Sequence, residues 1–274
     1  MKILVFGAKG YLGSQFLTRF PGAVASDVDI ADQKEIERVL DAEKPDAVIN
    51  AAGKTGKPNV DWCETHKEET LRSNVTGPLL LLDACQKRGI YMVHLSSGCI
   101  YEGDNDGKGF TEADPPNFSG SFYSRTKGWA DQILRDFPVL ILRLRMPFDG
   151  SQSDRNLIMK LKRYPKVLDV QNSLTSLPDF LTAAQTLIEK KKTGTYNIVN
   201  PGSISPYRVM ELYREIIDPA HSFERLTLDG LPGVVKAGRS NCILSGEKLK
   251  GEGITLPHVE EAVRSALGLI RLAR

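Results

Sequence analysis

The chain has little of several things that would announce a function. Its 274 residues include only four cysteines, Cys63, Cys85, Cys99 and Cys242, with no Cys-x-x-Cys pair and no histidine cluster beside them. Scattered thiols argue against a disulfide framework and a structural zinc site, so no metal is expected and a reducing compartment is. The formal charge of +2 is too small to imply nucleic acid or an anionic membrane as partner. No apolar run approaches the roughly 18 residues of a membrane span. The first apolar run, Ile3 to Phe6, stops at Gly7 and is far too short for a signal peptide. Repeats, heptads and low-complexity tracts are also missing. What remains is an ordinary globular protein, expected in the cytoplasm.

What is there begins with alternation. Ile3–Phe6, Ala47–Asn50, Ile90–Ser96 and Val139–Leu144 read as buried strands. Between them, residues 11–20, 33–43, 68–88 and 123–137 carry helical periodicity. Thr195–Val199 reads as a last strand returning to the same sheet, and Ser205-Pro206 as the cap and first turn of a helix to Ile217. This order predicts an α/β fold: a Rossmann-like, doubly wound parallel sheet with a small C-terminal substrate-binding lobe. The dinucleotide domain is placed at 1–145, completed by about 176–200. The lobe takes 146–175 and 201–274.

Gly7-Ala8-Lys9-Gly10-Tyr11-Leu12-Gly13 joins the first strand to the first helix. Glycines there allow a tight turn and bring backbone N–H groups onto a pyrophosphate. At the expected end of the second strand stands Asp27, suited to a ribose 2′-hydroxyl and hence to NADH. Lys9 suits a 2′-phosphate and hence NADPH. From the residues alone the two signals conflict.

Tyr123 and Lys127 are four apart on a predicted helix and so share a face. The ammonium and a cationic nicotinamide are expected to lower the phenol's pKa, making it a proton donor to a ketone. Ser97, at a strand end, would hold the same carbonyl oxygen. Two residues on, Cys99 would sit beside that ketone, where a thiol can move a proton on and off a neighbouring carbon.

The order Gly-x-x-Gly-x-x-Gly, Asn50-Ala51-Ala52-Gly53, Ser97 and Tyr-x-x-x-Lys resembles the extended short-chain dehydrogenase/reductases. Residues 50–64, Gly98-Cys99-Ile100, residues 116–124, Leu144-Arg145-Met146-Pro147 and Arg239-Ser240-Asn241 resemble the nucleotide-rhamnose synthase/epimerase-reductase group. The resemblance implies 3,5-epimerisation of a nucleotide-linked 4-keto-6-deoxyglucose, carried by UDP or dTDP, followed by NADPH-dependent reduction of the ketone. It implies Cys99 and Lys160 as the epimerase acid/bases. It also implies Asn50, Ala51, Ala52, Asp61, Asn74 and Pro147 around the cofactor, and Asn117, Asn156 and Arg239 around the substrate. Dehydratases of the superfamily carry Asp-Glu after the catalytic Ser or Thr; here Gly98-Cys99 stands there, so the ketone must arrive ready-made. Two alternatives stay open: a dTDP-4-dehydrorhamnose reductase without epimerase activity, and a non-catalytic dinucleotide-binding subunit. NADH use and a homodimer also stay open.

Overall fold

The computed structural model describes residues 1–231 and 234–273. In chain order the first half runs β1 (Ile3–Phe6), α1 (Tyr11–Arg19), β2 (Val24–Ser26), α2 (Gln33–Glu43), β3 (Ala47–Asn50), α3 (Trp62–Thr65), α4 (Lys67–Leu71), α5 (Gly77–Lys87), β4 (Tyr91–Ser97) and α6 (Phe122–Leu134). Then follow β5 (Leu140–Leu144), β6 (Pro147–Phe148), α7 (Leu157–Leu161), β7 (Lys166–Leu168), β8 (Thr175–Ser176), α8 (Leu177–Glu189), β9 (Gly194–Asn197), α9 (Pro206–Ile216), β10 (Glu224–Leu226), α10 (Glu247–Gly251) and α11 (Val259–Leu272).

Six strands form one sheet in the order β2-β1-β3-β4-β5-β9. The parallel register is centred on the fully buried β1 and β3: Leu4 pairs with Val24 on one side and Val48 on the other, and Val48 with Met92. Strands buried on both faces need helices on both, which is the doubly wound arrangement expected from the sequence. The returning strand joins this sheet as expected, and it lies beside β5.

The chain divides into two compact units. Unit 1 comprises 1–100, 116–143 and 184–196; unit 2 comprises 101–115, 144–183 and 197–274. Unit 1 is held by Leu4, Phe6, Ile36, Leu40, Val48, Leu81, Met92, Leu134 and Ile141. Truncating one such side chain to alanine costs about 2–5 kcal/mol. Unit 2 has its own core of Phe148, Leu157, Ile158, Val209, Tyr213, Val263 and Leu267. The sequence pattern places residues 101–115 with the dinucleotide domain, but they cluster with unit 2. Backbone bridges from Gly103 to Cys242 and from Phe110 to Leu244 tie them there, a pairing no local pattern announces.

The segment 68–88, read as one helix, is three pieces. Residues 72–76 form a single wide π turn between α4 and α5. Pro78 has no N–H to return to the Asn74 carbonyl, so an α-helical ladder cannot pass through this point. No helix among the described residues is long and apolar enough to cross a membrane.

Candidate active site

Unit 1 builds its ligand-binding end from glycine geometry. Gly7 has φ +73°, and a Cβ on it would lie 2.5 Å from the Ala52 nitrogen. A Cβ on Gly13 would lie 2.2 Å from the Gly7 oxygen. Both positions therefore exclude any side chain, and the turn rests directly on the Ala51-Ala52 backbone. Gly10 caps the nine-residue α1 without a side-chain hydrogen bond. The first turn of α1 thus has no side-chain cap, which fits a pyrophosphate at this helix N-terminus.

Asn50 braces this floor. Its Oδ1 accepts from Ala52 N–H at 3.1 Å, and its Nδ2 donates to His94 Nδ1 at 3.2 Å. Burial and the nearby Lys127 push His94 well below its ordinary pKa, so it stays neutral and can accept. Lys9 and Asp27, the conflicting cofactor signals, form an ion pair at 2.9 Å. Both are largely solvated, so the pair is weak and either charge remains available to a ribose substituent.

Asn74 does something different from the cofactor contact expected of it. In the π turn it is 1% exposed, accepts from Lys54 N–H at 2.8 Å, and donates to Lys54 O and Thr126 Oγ1. Both amide hydrogens and its oxygen are engaged, so it staples the loop after β3 onto α6. Asp61 stands at the N-cap position of α3, where its carbonyl accepts from Glu64 N–H at 3.2 Å and its side chain makes no cap hydrogen bond.

The chemistry lies where β4 ends. Ser97 Oγ is 2.8 Å from Cys99 Sγ and accepts from Cys99 N–H at 3.3 Å, because residues 98–100 turn back as one 3₁₀ turn. Tyr123, on the first turn of α6, places its phenol near enough to Ser97 and Cys99 for both to act on its pKa. Ser121 caps α6 by accepting from Ser124 N–H at 3.1 Å, and Glu64 accepts from Phe122 N–H at 2.6 Å. Lys127, one turn on and 5% exposed, donates to Leu95 O at 2.8 Å. Burial drops its pKa from 10.5 to about 8, with Cys99 and Asp131 opposing.

Tyr123 departs from expectation. Burial, then Cys99, push its phenol well above 10.0, against a hydrogen bond from Ser97. The chain's own residues therefore keep Tyr123 protonated, with no lowering by Lys127. A protonated phenol is the form a proton donor needs. Two other thiols are poor acid/bases: burial raises Cys63, and carries Cys85, packed by the start of β4, to about 12.

Asn117, also in unit 1, is exposed and fixed by its backbone to Ile100 O at 3.2 Å. The remaining expected residues belong to unit 2. Pro147 opens β6. Asn156 is fully buried, caps α7 through Ile158 N–H at 3.1 Å and donates to Asp149 O, Asp149 Oδ1 and Ser151 O. Its amide is consumed within the unit, which makes it a helix cap rather than a substrate contact. Lys160, half-buried on α7, is lowered from its ordinary pKa by burial and by Arg155 and Arg163. Arg239 is half-buried and donates to Ala237 O at 2.8 Å.

The family model of the RmlD substrate binding domain matches residues 1–271. The chain belongs to the RmlD substrate-binding domain family. It is 39% identical to a bifunctional dTDP-4-dehydrorhamnose 3,5-epimerase/dTDP-4-dehydrorhamnose reductase of Arabidopsis thaliana, covering 95% of this chain and 90% of that one. A trifunctional UDP-glucose 4,6-dehydratase/3,5-epimerase/reductase of the same plant is 37% identical over 96% of this chain, which spans only 41% of that protein. The crystal structure of the L780 UDP-rhamnose synthase of Acanthamoeba polyphaga mimivirus superposes with TM-score 0.93 at 34% identity, covering 98% and 99% of the two chains. This member of the RmlD family is an oxidoreductase of the short-chain dehydrogenase/reductase type.

Several residues that support its site escaped sequence reading. His94 and the buried Ser96–Asp131–Arg143 network sit among apolar neighbours in β4, α6 and β5, where each reads as an isolated polar interruption. Glu64 lies on a helix of four residues, too short to show periodicity. The Gly77-Pro78 pair was a usable signal for the break above α5.

Proposed function

We propose that this chain is a bifunctional 3,5-epimerase and 4-keto-reductase. It would convert UDP-4-keto-6-deoxy-D-glucose, or the dTDP analogue, into the nucleotide-linked L-rhamnose with NADPH. The observation that carries this reading is the cluster of Ser97, Cys99 and Tyr123, with hydroxyl and thiol 2.8 Å apart. The activities of the Arabidopsis relatives support it.

The sugar's ketone at C4 acidifies the hydrogens on C3 and C5. Ser97 and Tyr123 donate to the ketone oxygen and stabilise the enolate that forms when either proton leaves. Cys99 takes that proton as thiolate. Inversion needs a hydrogen delivered to the opposite face, and Lys160, whose pKa burial lowers from its ordinary value, is the proposed donor.

The glycine loop, with Lys9 or Asp27 at the ribose, would hold the dinucleotide. When bound, it supplies the hydride for C4. Tyr123 gives its proton to the oxygen as alkoxide develops, and Lys127, one turn along α6, is assigned to the same proton transfer. Without a carboxylate next to Ser97, the chain cannot remove water across C5 and C6, so a separate dehydration must make its substrate.

Incubation with UDP-4-keto-6-deoxyglucose and NADPH, followed by NMR of the sugar, tests the whole reading. Rhamno configuration at C3 and C5 is expected. Gluco configuration with the ketone reduced would leave a reductase alone, and no NADPH oxidation with either nucleotide would remove the enzyme reading.

A further inference from the structure

Arg145 follows β5, lies in unit 2 and is 5% exposed. Its Nη2 donates to Asn172 Oδ1 at 2.6 Å and to the Ser240 carbonyl, and its main-chain N–H donates to Thr175 Oγ1 at 2.9 Å. Among the described residues no carboxylate pairs with it, and its buried Nε has no partner. A guanidinium stays protonated throughout the working pH range, so a full positive charge sits among neutral oxygens. Burying such a charge without a counter-charge costs on the order of several kcal/mol.

The surroundings hold this charge in place without neutralising it. Asn172 Oδ1 also accepts from Cys242 N–H at 3.0 Å, while its Nδ2 donates to Val170 O and Asn241 Oδ1, each at 3.1 Å. Asn241 in turn donates to Arg239 O at 3.0 Å. The next residue in the chain, Met146, is held at φ +44°, a left-handed conformation that a non-glycine side chain disfavours. An over-determined frame around an uncompensated buried cation is arranged for an incoming anion.

We infer that Arg145 is an oxyanion-binding residue whose free Nε–H receives a phosphoryl oxygen of the substrate's diphosphate. This rests on the nucleotide-sugar reading above and adds to it a residue not assigned to substrate there. A phosphoryl oxygen could also come from free phosphate, so the test separates the two sources.

The full chain would be titrated calorimetrically with UDP, inorganic pyrophosphate and inorganic phosphate, and melted with and without each. UDP and pyrophosphate should bind the parent chain and raise its melting temperature, and inorganic phosphate should do so far more weakly. Losing one charge-assisted contact predicts that Arg145→Gln weakens UDP binding about 10- to 100-fold, with Arg145→Lys in between. Without any anion, Arg145→Gln should melt no lower than the parent, because a buried charge with no partner has been removed. Unchanged UDP affinity in Arg145→Gln would overturn the inference. So would an anion-free melting temperature well below the parent's, which would make Arg145 a structural tie. Phosphate binding as tight as UDP would overturn the diphosphate assignment. If the enzyme reduces the keto-sugar while its UDP affinity ignores Arg145, only this inference falls; if UDP binding depends on Arg145 but no keto-sugar turns over, only the proposed activity falls.

Discussion

Arg143 and Arg145 stand two residues apart at the end of β5, and unit 1 and unit 2 treat them differently. Arg143 is fully buried, and its Nε and Nη2 donate to Asp131 Oδ2 and Oδ1 at 2.9 and 2.5 Å. Burial alone would push the Asp131 carboxyl up; Arg143, Ser96 and Arg135 together hold it below its ordinary value. Arg145 is nearly as buried and meets only amide and carbonyl oxygens. A compensated buried charge is part of the scaffold, whereas an uncompensated one asks for a ligand. The same contrast separates two thiols of unit 1. Cys85, raised to about 12 by burial, is inert packing, while Cys99 shares a hydrogen-bonded cluster with a serine and a tyrosine.

The largest expected effect belongs to the cluster. Tyr123→Phe removes the proton donor to the alkoxide and should lower kcat for ketone reduction about 10²- to 10⁴-fold. Its fold should persist by circular dichroism, and retained turnover would take Tyr123 out of the chemistry.

Next comes the arginine comparison itself. Arg143→Gln leaves Asp131 buried without its main partner and should cost about 3–5 kcal/mol in urea unfolding. Arg145→Gln should cost nothing in the absence of anion. Equal losses at the two positions would erase the distinction between them.

Lys127 gives a smaller effect with a definite sign. Its ammonium is needed beside Tyr123 and is present below about 8, so the reduction rate should fall as pH rises through that value. Stability runs the other way. Between about 8 and 10.5 the unfolded chain binds more protons at this lysine than the folded one, so unfolding should become harder across that window. A reduction rate flat from pH 7 to 9 would contradict the assignment.

The smallest effect lies at the exposed Lys9–Asp27 pair. Asp27→Asn frees Lys9 and removes a repelling carboxylate, so the affinity ratio for NADPH over NADH should rise about 3- to 10-fold. A ratio that stays put would place cofactor choice elsewhere.

Strands with continuous apolar runs and the loop with three spaced glycines were legible in the chain because each rests on local rules. The Ser97, Tyr123 and Lys127 set was legible through its order and spacing. What stayed hidden depends on long-range pairing. Residues 101–115 join unit 2 through bridges to 242 and 244, and Asn74 reaches Lys54 across 20 positions. Asn156 illustrates the converse: its position suggested a ligand, but its local turn uses every hydrogen-bonding atom of the amide. Tyr123's raised pKa was hidden too, since burial and the thiol beside it push the phenol up, and Ser97, not the lysine four residues on, opposes them.

The central claim is that the thiol beside Ser97 performs the epimerisation, and Cys99→Ala tests it most directly. The variant would be given UDP-4-keto-6-deoxyglucose in D₂O without NADPH, and deuterium uptake at C3 and C5 followed by NMR. A parallel assay would follow NADPH oxidation with the already epimerised ketone. Loss of exchange at both carbons, with reduction of the epimerised ketone retained, is the predicted result. Exchange at the parent's rate in Cys99→Ala would contradict it and leave the chain a reductase with a bystander thiol.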